Sequence, residues 1–382
     1  MTIKSSGSSL AFSEIEDEFG QNTPDRSLGA YRISQTIEEL SNLPLDSGIP
    51  QSGQIKFSDF YSKSLNVVVD CFSGPTQTRI RAKNDKWNND EVVIVGPRTT
   101  KKQSGSKIII HVNKTFGSAS SSNQNTCALR TGTWSGIVSL QIDMGSTGFI
   151  SGAGGKGADG DDGVSNVGCV RKGASGGTHT PNQNAVKPIG SWNGGNGNSA
   201  LGIQYSPTTV NVTKGVIQCG YGGGAAGRGS RSDNVSDRTA CPGGGGGGAG
   251  YPGGAAGEGG KTLTGGEYEA TNTGGEVDSA HDGGAGTLTT GGASGEGGNN
   301  DNESTGMDGG VGGDSEQSPG SPSIQTGFNN DNGNDNSSGW YQSNGTAGSN
   351  GAAIRRLSGY TVIINESGTG DIRGSKTATG VA

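Results

Sequence analysis

Gly243-Gly244-Gly245-Gly246-Gly247-Gly248-Ala249-Gly250-Tyr251-Pro252-Gly253-Gly254-Ala255-Ala256-Gly257-Glu258-Gly259-Gly260 is the stretch on which the reading of this chain turns. Glycine has the most backbone entropy to lose on folding and no side chain to bury. A segment built of it is either left without order or packs backbones closer than any Cβ would allow. Of 382 residues 76 are glycine; 11 of these precede residue 141, whereas 36 fall within 215–313. Gly154, Gly157, Gly160 and Gly163 keep a three-residue period, as a left-handed threefold polyglycine II helix requires. Such a helix rises about 3.1 Å per residue, so ten residues span roughly 30 Å. It has no internal hydrogen bonds, so every segment must bond sideways to its neighbours. The segments 152–163, 194–202, 220–229, 243–260, 283–298 and 306–313 are therefore expected to form a lattice, with glycine wherever two backbones meet.

Outside the glycine the pattern is β. Ser139-Leu-Gln-Ile-Asp-Met-Gly leads to Phe149-Ile150-Ser151-Gly152; Thr209-Val-Asn-Val-Thr-Lys-Gly leads to Val216-Ile217-Gln218-Cys219-Gly220; Thr361-Val-Ile-Ile-Asn-Glu-Ser-Gly leads to Asp371-Ile372-Arg373-Gly374. Each is an alternating strand, a turn and a short apolar step closing on glycine, which predicts a stacked, solenoid-like platform. The glycine excursions leave from the first two units and return before the third. Residues 64–145 hold further short β runs separated by Gly, Pro, Asn and Ser, read as a small sandwich or open barrel with Trp87 and Trp134 at its core or rim. Residues 1–63 read as short helices and turns: a capping box from Ser13 to Glu16, a second helix through Thr36–Leu40, then a turn and strand from Ser52 to Phe57 and a last turn at Asp59-Phe60-Tyr61. The expected fold is thus mainly β, with an attachment module at 1–63, a β-sandwich-like domain at 64–145 and a glycine-rich body at 146–382.

Composition narrows function. Hydrophobic residues make up 28% of the chain and concentrate before residue 145, so one conventional core cannot span it. The net charge of −7 argues against nucleic acid. The longest apolar runs, Val67–Val69 and Ile108–Ile110, are far short of a membrane span, and no N-terminal apolar segment reads as a signal peptide. Five cysteines without CxxC spacing read as reduced, scattered thiols. Residues 75–114 carry nine Lys/Arg against three Asp/Glu, and 257–316 carry twelve Asp/Glu against Lys261, a segregation that suits solvated faces or docking between copies. No nucleophile–base arrangement, P-loop or metal-ligand spacing is present; Gly154–Asp159 matches a calcium nonapeptide only in part, and Asp331 to Asn336 read as a polar turn. The expectation is a non-enzyme without cofactor or metal. Aromatics isolated in polar loops, Trp192, Tyr268, Phe328, Trp340 and Tyr341, are the candidates for contacting a ligand.

Three stretches carry a resemblance: Ser6-Gly-Ser-Ser-Leu-Ala-Phe-Ser-Glu-Ile, Glu18-Phe19-Gly20 and Ile49-Pro50-Gln-Ser-Gly-Gln-Ile-Lys-Phe-Ser-Asp-Phe-Tyr61. They resemble the N-terminal module of structural proteins of marine tailed phages, T4-like cyanophages among them. The glycine-rich two-thirds is similar to that of distal tail-fibre adhesins, in which layered polyglycine II helices hold loops against a host receptor. The resemblance implies a virion protein, a tail fibre or adhesin, joined to other virion proteins through the apolar set Phe12, Ile15, Phe19, Phe57, Phe60 and Tyr61, meeting a host protein or glycan with its loops, and forming homo-oligomers. The alternative it leaves is a purely structural fibre or decoration of capsid, neck or baseplate.

Overall fold

A computed structural model describes residues 3–19, 27–31, 49–63 except 51, 107–160 except 120–122, 133–135 and 138, 193–227, 243–260, 280–297, 310–314 and 346–381. It also describes the backbones of short strands between 36 and 41, between 66 and 95, and at 230–231, 239–240, 277–278, 299–300, 304–305 and 340–341. The chain is mainly β, with parallel sheets and, among the described residues, one short helix.

That helix, α1 (Phe12–Phe19), starts one residue before the expected N-cap. Ala11, not Ser13, donates its N–H to a carboxylate three residues on, that of Glu14, at 2.7 Å. This bond, and after it the Lys4 ammonium at 2.8 Å, holds the Glu14 carboxyl below the usual range; Lys4 makes Glu14 the better box acid than Glu16. The helix expected at Thr36–Leu40 is instead two antiparallel strands, Thr36–Ile37 and Leu40–Ser41. Five residues with β-branched Thr36 and Ile37 among them are too few to meet the nucleation cost of a helix. The strand expected after Ser52 is also absent: Gly53 turns with positive φ, and a 3₁₀ turn runs over Phe57–Phe60, its start held by Lys56 N–H on the Asp59 carboxylate at 2.8 Å. A lone strand there would have had no edge to pair with.

The module closes on itself. Ile3 N–H bonds to the Lys63 carbonyl at 3.0 Å and Ser62 N–H to that of Lys4 at 3.1 Å. Ile3, Ile15, Ile49 and Phe60 are buried together, with Leu10, Phe12, Leu28 and Ile55 against them.

The strands from 66 onward do not form a two-sheet sandwich. They stack in parallel as successive turns, each turn giving one strand to each of up to three sheets. In chain order the strands are β1 (Asn66–Cys71), β2 (Ile80–Lys83), β3 (Lys107–Val112), β4 (Thr115–Gly117), β5 (Cys127–Arg130), β6 (Ser139–Met144), β7 (Phe149–Ser151), β8 (Ser199–Ile203), β9 (Thr208–Val212), β10 (Val216–Gln218), β11 (Ile354–Arg356), β12 (Val362–Glu366), β13 (Asp371–Arg373) and β14 (Ala378–Thr379). One sheet runs β12-β9-β6-β3-β1, a second β13-β10-β7-β4, a third β14-β11-β8-β5-β2. Antiparallel strands Val93–Val95 and Lys86–Trp87 cover the outer edges of β1 and β2. Register places like on like: Ile110, Ile142, Val210 and Ile364 align, as do Phe116, Ile150, Ile217 and Ile372, and Ile80, Leu129, Leu201 and Ile354. From Ile108 onward the described side chains of these columns share one core between the three sheets. Each buried Ile or Leu contributes about 1.5–3 kcal/mol. The parallel arrangement follows from connections that wrap the core from one sheet to the next and so need no hairpins. The three units read from the sequence occupy consecutive turns in register, and the ladders continue across residue 145 to β3.

Two excursions interrupt the stack, 152–198 between β7 and β8 and 219–353 between β10 and β11. Within them the segments 152–160, 193–198, 219–227, 243–250, 252–260, 280–287, 290–297, 310–314 and 346–351 lie side by side, joined backbone to backbone. Gly154, Gly157 and Gly160 donate to Pro252, Ala255 and Glu258 at 2.9, 2.8 and 2.7 Å, so both partners advance three residues per bond. The same step recurs antiparallel: Gly245, Gly248 and Tyr251 donate to Ala158, Gly155 and Gly152.

The segment 243–250 lies at the centre. Its amides reach three neighbours: 152–158, the segment of Gly310 and Gly313, and that of His281, Gly284 and Thr287. Its carbonyls accept from three others: Tyr221, Gly224 and Gly227; Gly254 and Gly257; Gly292 and Gly295. Six neighbours leave no row of the threefold period facing outward. A Cβ on any residue from Gly243 to Gly248 would fall on a neighbour's backbone carbonyl. That is why the longest glycine run of the chain lies there. At the periphery one row in three is free, and side chains occupy it: Ala255 and Glu258 are exposed while Gly254 and Gly257 are buried, and Ala293 and Glu296 flank buried Gly292 and Gly295 in the same way.

Candidate functional site

Chain direction sorts the two ends of the glycine bundle. Segments 152–160 and 219–227 leave directly from β7 and β10, and 252–260 runs parallel to the first. Segments 193–198 and 346–351 feed back into β8 and β11, and 243–250 runs against 219–227. Among the described residues the near end, against the stack, holds two tight reversals and the start of the segment that follows Asp314. At one, Tyr251 O accepts Ser118 N–H at 3.1 Å and the Tyr251 ring lies over Gly117, where a Cβ would collide with it. At the other, Thr287 and Thr290 close a turn, and Gln218 Nε2 donates to Leu288 O at 2.7 Å.

The long polar segments 161–192, 228–242, 261–279 and 298–309 therefore all begin and end at the far end, and 315–345 finishes there. Strands from three of the excursions' long segments meet in one sheet: Ser230–Arg231 pairs with Thr239–Ala240 and with Trp340–Tyr341, and Thr239–Ala240 pairs with Val277–Asp278. Asn299–Asn300 pairs with Ser304–Thr305 beside them. Of the sequence candidates, Trp340 and Tyr341 lie in this sheet. Trp192, Tyr268 and Phe328 lie outside the described residues; Trp192 directly precedes Asn193, which belongs to the far end.

Carboxylates and amides hold the outer reaches of the bundle where a neighbouring backbone is out of reach. Asp159 is buried; it takes Lys156 Nζ at 2.7 Å and Glu258 N–H at 3.0 Å. Asp282 takes Gly259 N–H at 2.8 Å, Asn193 takes Thr346 N–H at 2.9 Å and Asn196 takes Ser349 N–H at 2.8 Å. Sequence reading missed these residues. Their signal is an Asp or Asn placed within a glycine segment rather than in the polar stretches between, and it reads as a substitute for a lateral carbonyl.

Burial pushes the Cys127 thiol up to about 12 and the Cys219 thiol to about 11, so both are protonated and unreactive at neutral pH. Burial likewise pushes Tyr221 up. Buried Ser199 Oγ donates to Gln124 O at 2.6 Å and accepts from Ala352 N–H and from Arg355 Nε, a bond that ties β8 to β11 and has no open approach. Among the described residues no group of three His, Cys, Asp or Glu is placed to hold a metal, and no helix is long and apolar enough to cross a membrane.

In the N-terminal module the attachment candidates divide. Ile15 and Phe60 are fully buried inside it and so are not available to another protein's surface. Phe57 is 40% exposed and meets Phe12 edge-on at 6.1 Å. Tyr61 Oη donates to Ser8 O at 2.5 Å, and the Phe19 side chain lies outside the described residues.

No family model matches this chain. No curated protein matches it either. Among solved structures it is similar to the gp37-gp38 adhesin tip complex of the bacteriophage S16 long tail fiber, at 14% identity and a TM-score of 0.35, over 97% of this chain and 98% of that one.

Proposed function

We propose that this chain is a non-enzymatic virion protein, a tail fibre or adhesin that attaches a tailed phage to its host. Its glycine segments are polyglycine II helices, 1–63 joins it to other virion proteins, 64–145 and 146–382 act as stem and distal body, and copies of the chain assemble as a homo-oligomer. The observation that carries the reading is the bias of the bundle: four of the five long polar segments begin and end at the end facing away from the β stack, and the fifth, 315–345, finishes there. A rigid platform lowers the ordering cost of binding, and loops on it are replaceable without disturbing lateral packing. An adhesin that must track a changing host surface needs this separation; a purely structural fibre does not. The receptor, a host surface protein or glycan, meets the loops carrying Trp192, Tyr268, Phe328, Trp340 and Tyr341.

The test is host adsorption by particles carrying Trp340→Ala with Tyr341→Ala and, separately, Tyr268→Ala and Trp192→Ala, with incorporation checked in each. Loss of adsorption at normal incorporation is expected in at least one. Unchanged adsorption in all of them supports the structural-fibre alternative and removes the adhesin.

A further inference from the structure

Three arginines stand in one column of the third sheet. By register Arg81 pairs with Arg130, Arg130 with Gly202, Gly202 with Arg355 and Arg355 with Ala378. The column crosses β2, β5, β8, β11 and β14 along the axis of the stack, and none of its five residues is an acid. With strands about 4.8 Å apart, Arg81 and Arg130 are direct neighbours and Arg355 lies about 10 Å further on. Like charges opposite each other on neighbouring strands repel, so the column is costly unless negative charge reaches it from elsewhere.

The described part of the chain does not supply that charge to Arg355. Arg355 is 9% exposed, and burial holds its pKa below the usual arginine value, yet a guanidinium stays charged at neutral pH. Nε donates to Ser199 Oγ and Nη1 to Thr379 O, both at 2.6 Å, and both acceptors are neutral. Among the described residues the one ionisable group acting on this charge is the Cys127 thiol, which is protonated at neutral pH. Arg130 acts on the same thiol, so the two guanidinium charges share one neighbourhood. Between them stands Gly202, where even a Cβ would meet Val381 Cγ1 at 2.8 Å and Cys127 Sγ at 2.9 Å, so no acid fits that position.

A buried charge persists only when it is paired. Two of the five N–H groups of Arg355 are used, and Nη2, which carries two of the other three, takes no acceptor among the described residues and is not sealed from solvent. Neutral oxygens fix the guanidinium at two points and so fix the direction of its remaining fork. Such a fork matches the paired oxygens of a sulfate or phosphate group. The thiol and the valine keep the surroundings apolar, which strengthens the bond. We propose that Arg355, Arg130 and Arg81 form a linear site for sulfate or phosphate groups on the side of the β stack. The inference does not depend on the virion reading.

The experiment titrates the full-length protein by calorimetry, at constant ionic strength, with sodium sulfate, with sodium phosphate and with a sulfated maltotetraose; unsulfated maltotetraose is the control. Saturable binding of the anions and none of the control is expected. Arg355→Met should lose binding, and Arg355→Lys, which keeps the charge and loses the fork, should weaken it about tenfold. A sulfated sugar bound about tenfold more tightly than sulfate, with the gain lost in Arg81→Gln, makes the ligand an anionic sugar chain lying along the column. Equal affinity for the two makes it a free ion. Wild type that binds none of the three anions overturns the proposal, and so does a folded Arg355→Met that binds as wild type. Should Arg355→Met fail to fold, Arg355→Lys and Arg130→Gln decide, and wild-type affinity in both overturns it.

Discussion

Replacing Gly245 by alanine is the smallest perturbation of the bundle's centre. At an ordinary unstrained position a glycine-to-alanine change stabilises by about 0.4–1 kcal/mol through the unfolded state. Here the sign reverses. The added Cβ would fall on the Gly224 carbonyl and lie 2.9 Å from Ala158 N, so it enters the 3.0 Å bond between Ala158 N–H and Gly224 O. Moving the segment away loosens Gly245 N–H to Ala158 O and Gly257 N–H to Gly245 O, both 2.8 Å. A buried amide or carbonyl left without a partner costs about 1–3 kcal/mol, so three disturbed bonds amount to roughly 3–9 kcal/mol. That is comparable to the whole stability of a typical domain, about 5–15 kcal/mol. Gly284→Ala is the milder comparison: its Cβ would meet Ala293 N at 2.9 Å on a peripheral segment, with its other neighbours at 3.5 Å or beyond, where that of Gly245 would fall on a carbonyl oxygen. Urea unfolding followed by circular dichroism should show Gly245→Ala failing to fold or losing most of its transition midpoint, with Gly284→Ala within about 1–2 kcal/mol of wild type. Equal, small effects at both positions would refute close backbone packing at 243–248.

Ile15→Ala should cost the N-terminal module about 2–5 kcal/mol, read as early proteolysis of 1–63, whereas Phe57→Ser should leave it folded and reduce incorporation into particles; normal incorporation of Phe57→Ser, or of a chain lacking 1–63, would remove the attachment role. Cys127 is raised from an ordinary value near 9 to about 12, so its stabilising contribution is intact below pH 9 and is lost as pH rises toward 12. Wild type should lose about 1.4 kcal/mol per pH unit more than Cys127→Ala between pH 9 and 11 by denaturant titration, and parallel pH profiles would contradict this. Asp282→Ala should cost about 1 kcal/mol by freeing Gly259 N–H, and Asp282→Asn, which keeps an acceptor, should recover most of it.

The β stack was legible where the chain is continuous. Strand, turn and apolar step follow each other at Ser139, Thr209 and Thr361 without interruption, and these units sit in adjacent turns. Ile108 to Gly117 has the same pattern and forms the preceding turn, yet the surrounding short runs suggested a separate sandwich. Local alternation gives a strand its faces but not the direction of its partner, and parallel pairing between Val69 and Ile110 is a long-range fact. The third sheet was harder still, because Ser199–Ile203 and Ile354–Arg356 return only after the glycine excursions. In the bundle the three-residue period at Gly154–Gly163 announced lateral bonding. It did not say which segment would be central; the six consecutive glycines at 243–248 hold that information, because only a backbone with six neighbours needs every row empty. At the far end the aromatic candidates were chosen by isolation in polar sequence, whereas Asp159 and Asp282, which seat the platform, went unread because a carboxylate accepting backbone amides looks in sequence like any surface acid.

The central claim is that the glycine segments are an ordered, laterally bonded body that carries the loops. Native-state hydrogen exchange of the full-length protein tests it most directly. Amides of 243–250 have no helix or strand to protect them; lateral bonds alone can do so, with distances of 2.8–3.1 Å from Gly244 to Ala249. The account predicts exchange through global unfolding for Gly245 to Gly248, as slow as for Ile110 and Ile142 in the β core, with faster exchange at exposed Glu296. Complete exchange of 243–250 within the dead time, with the β core still protected, would contradict it.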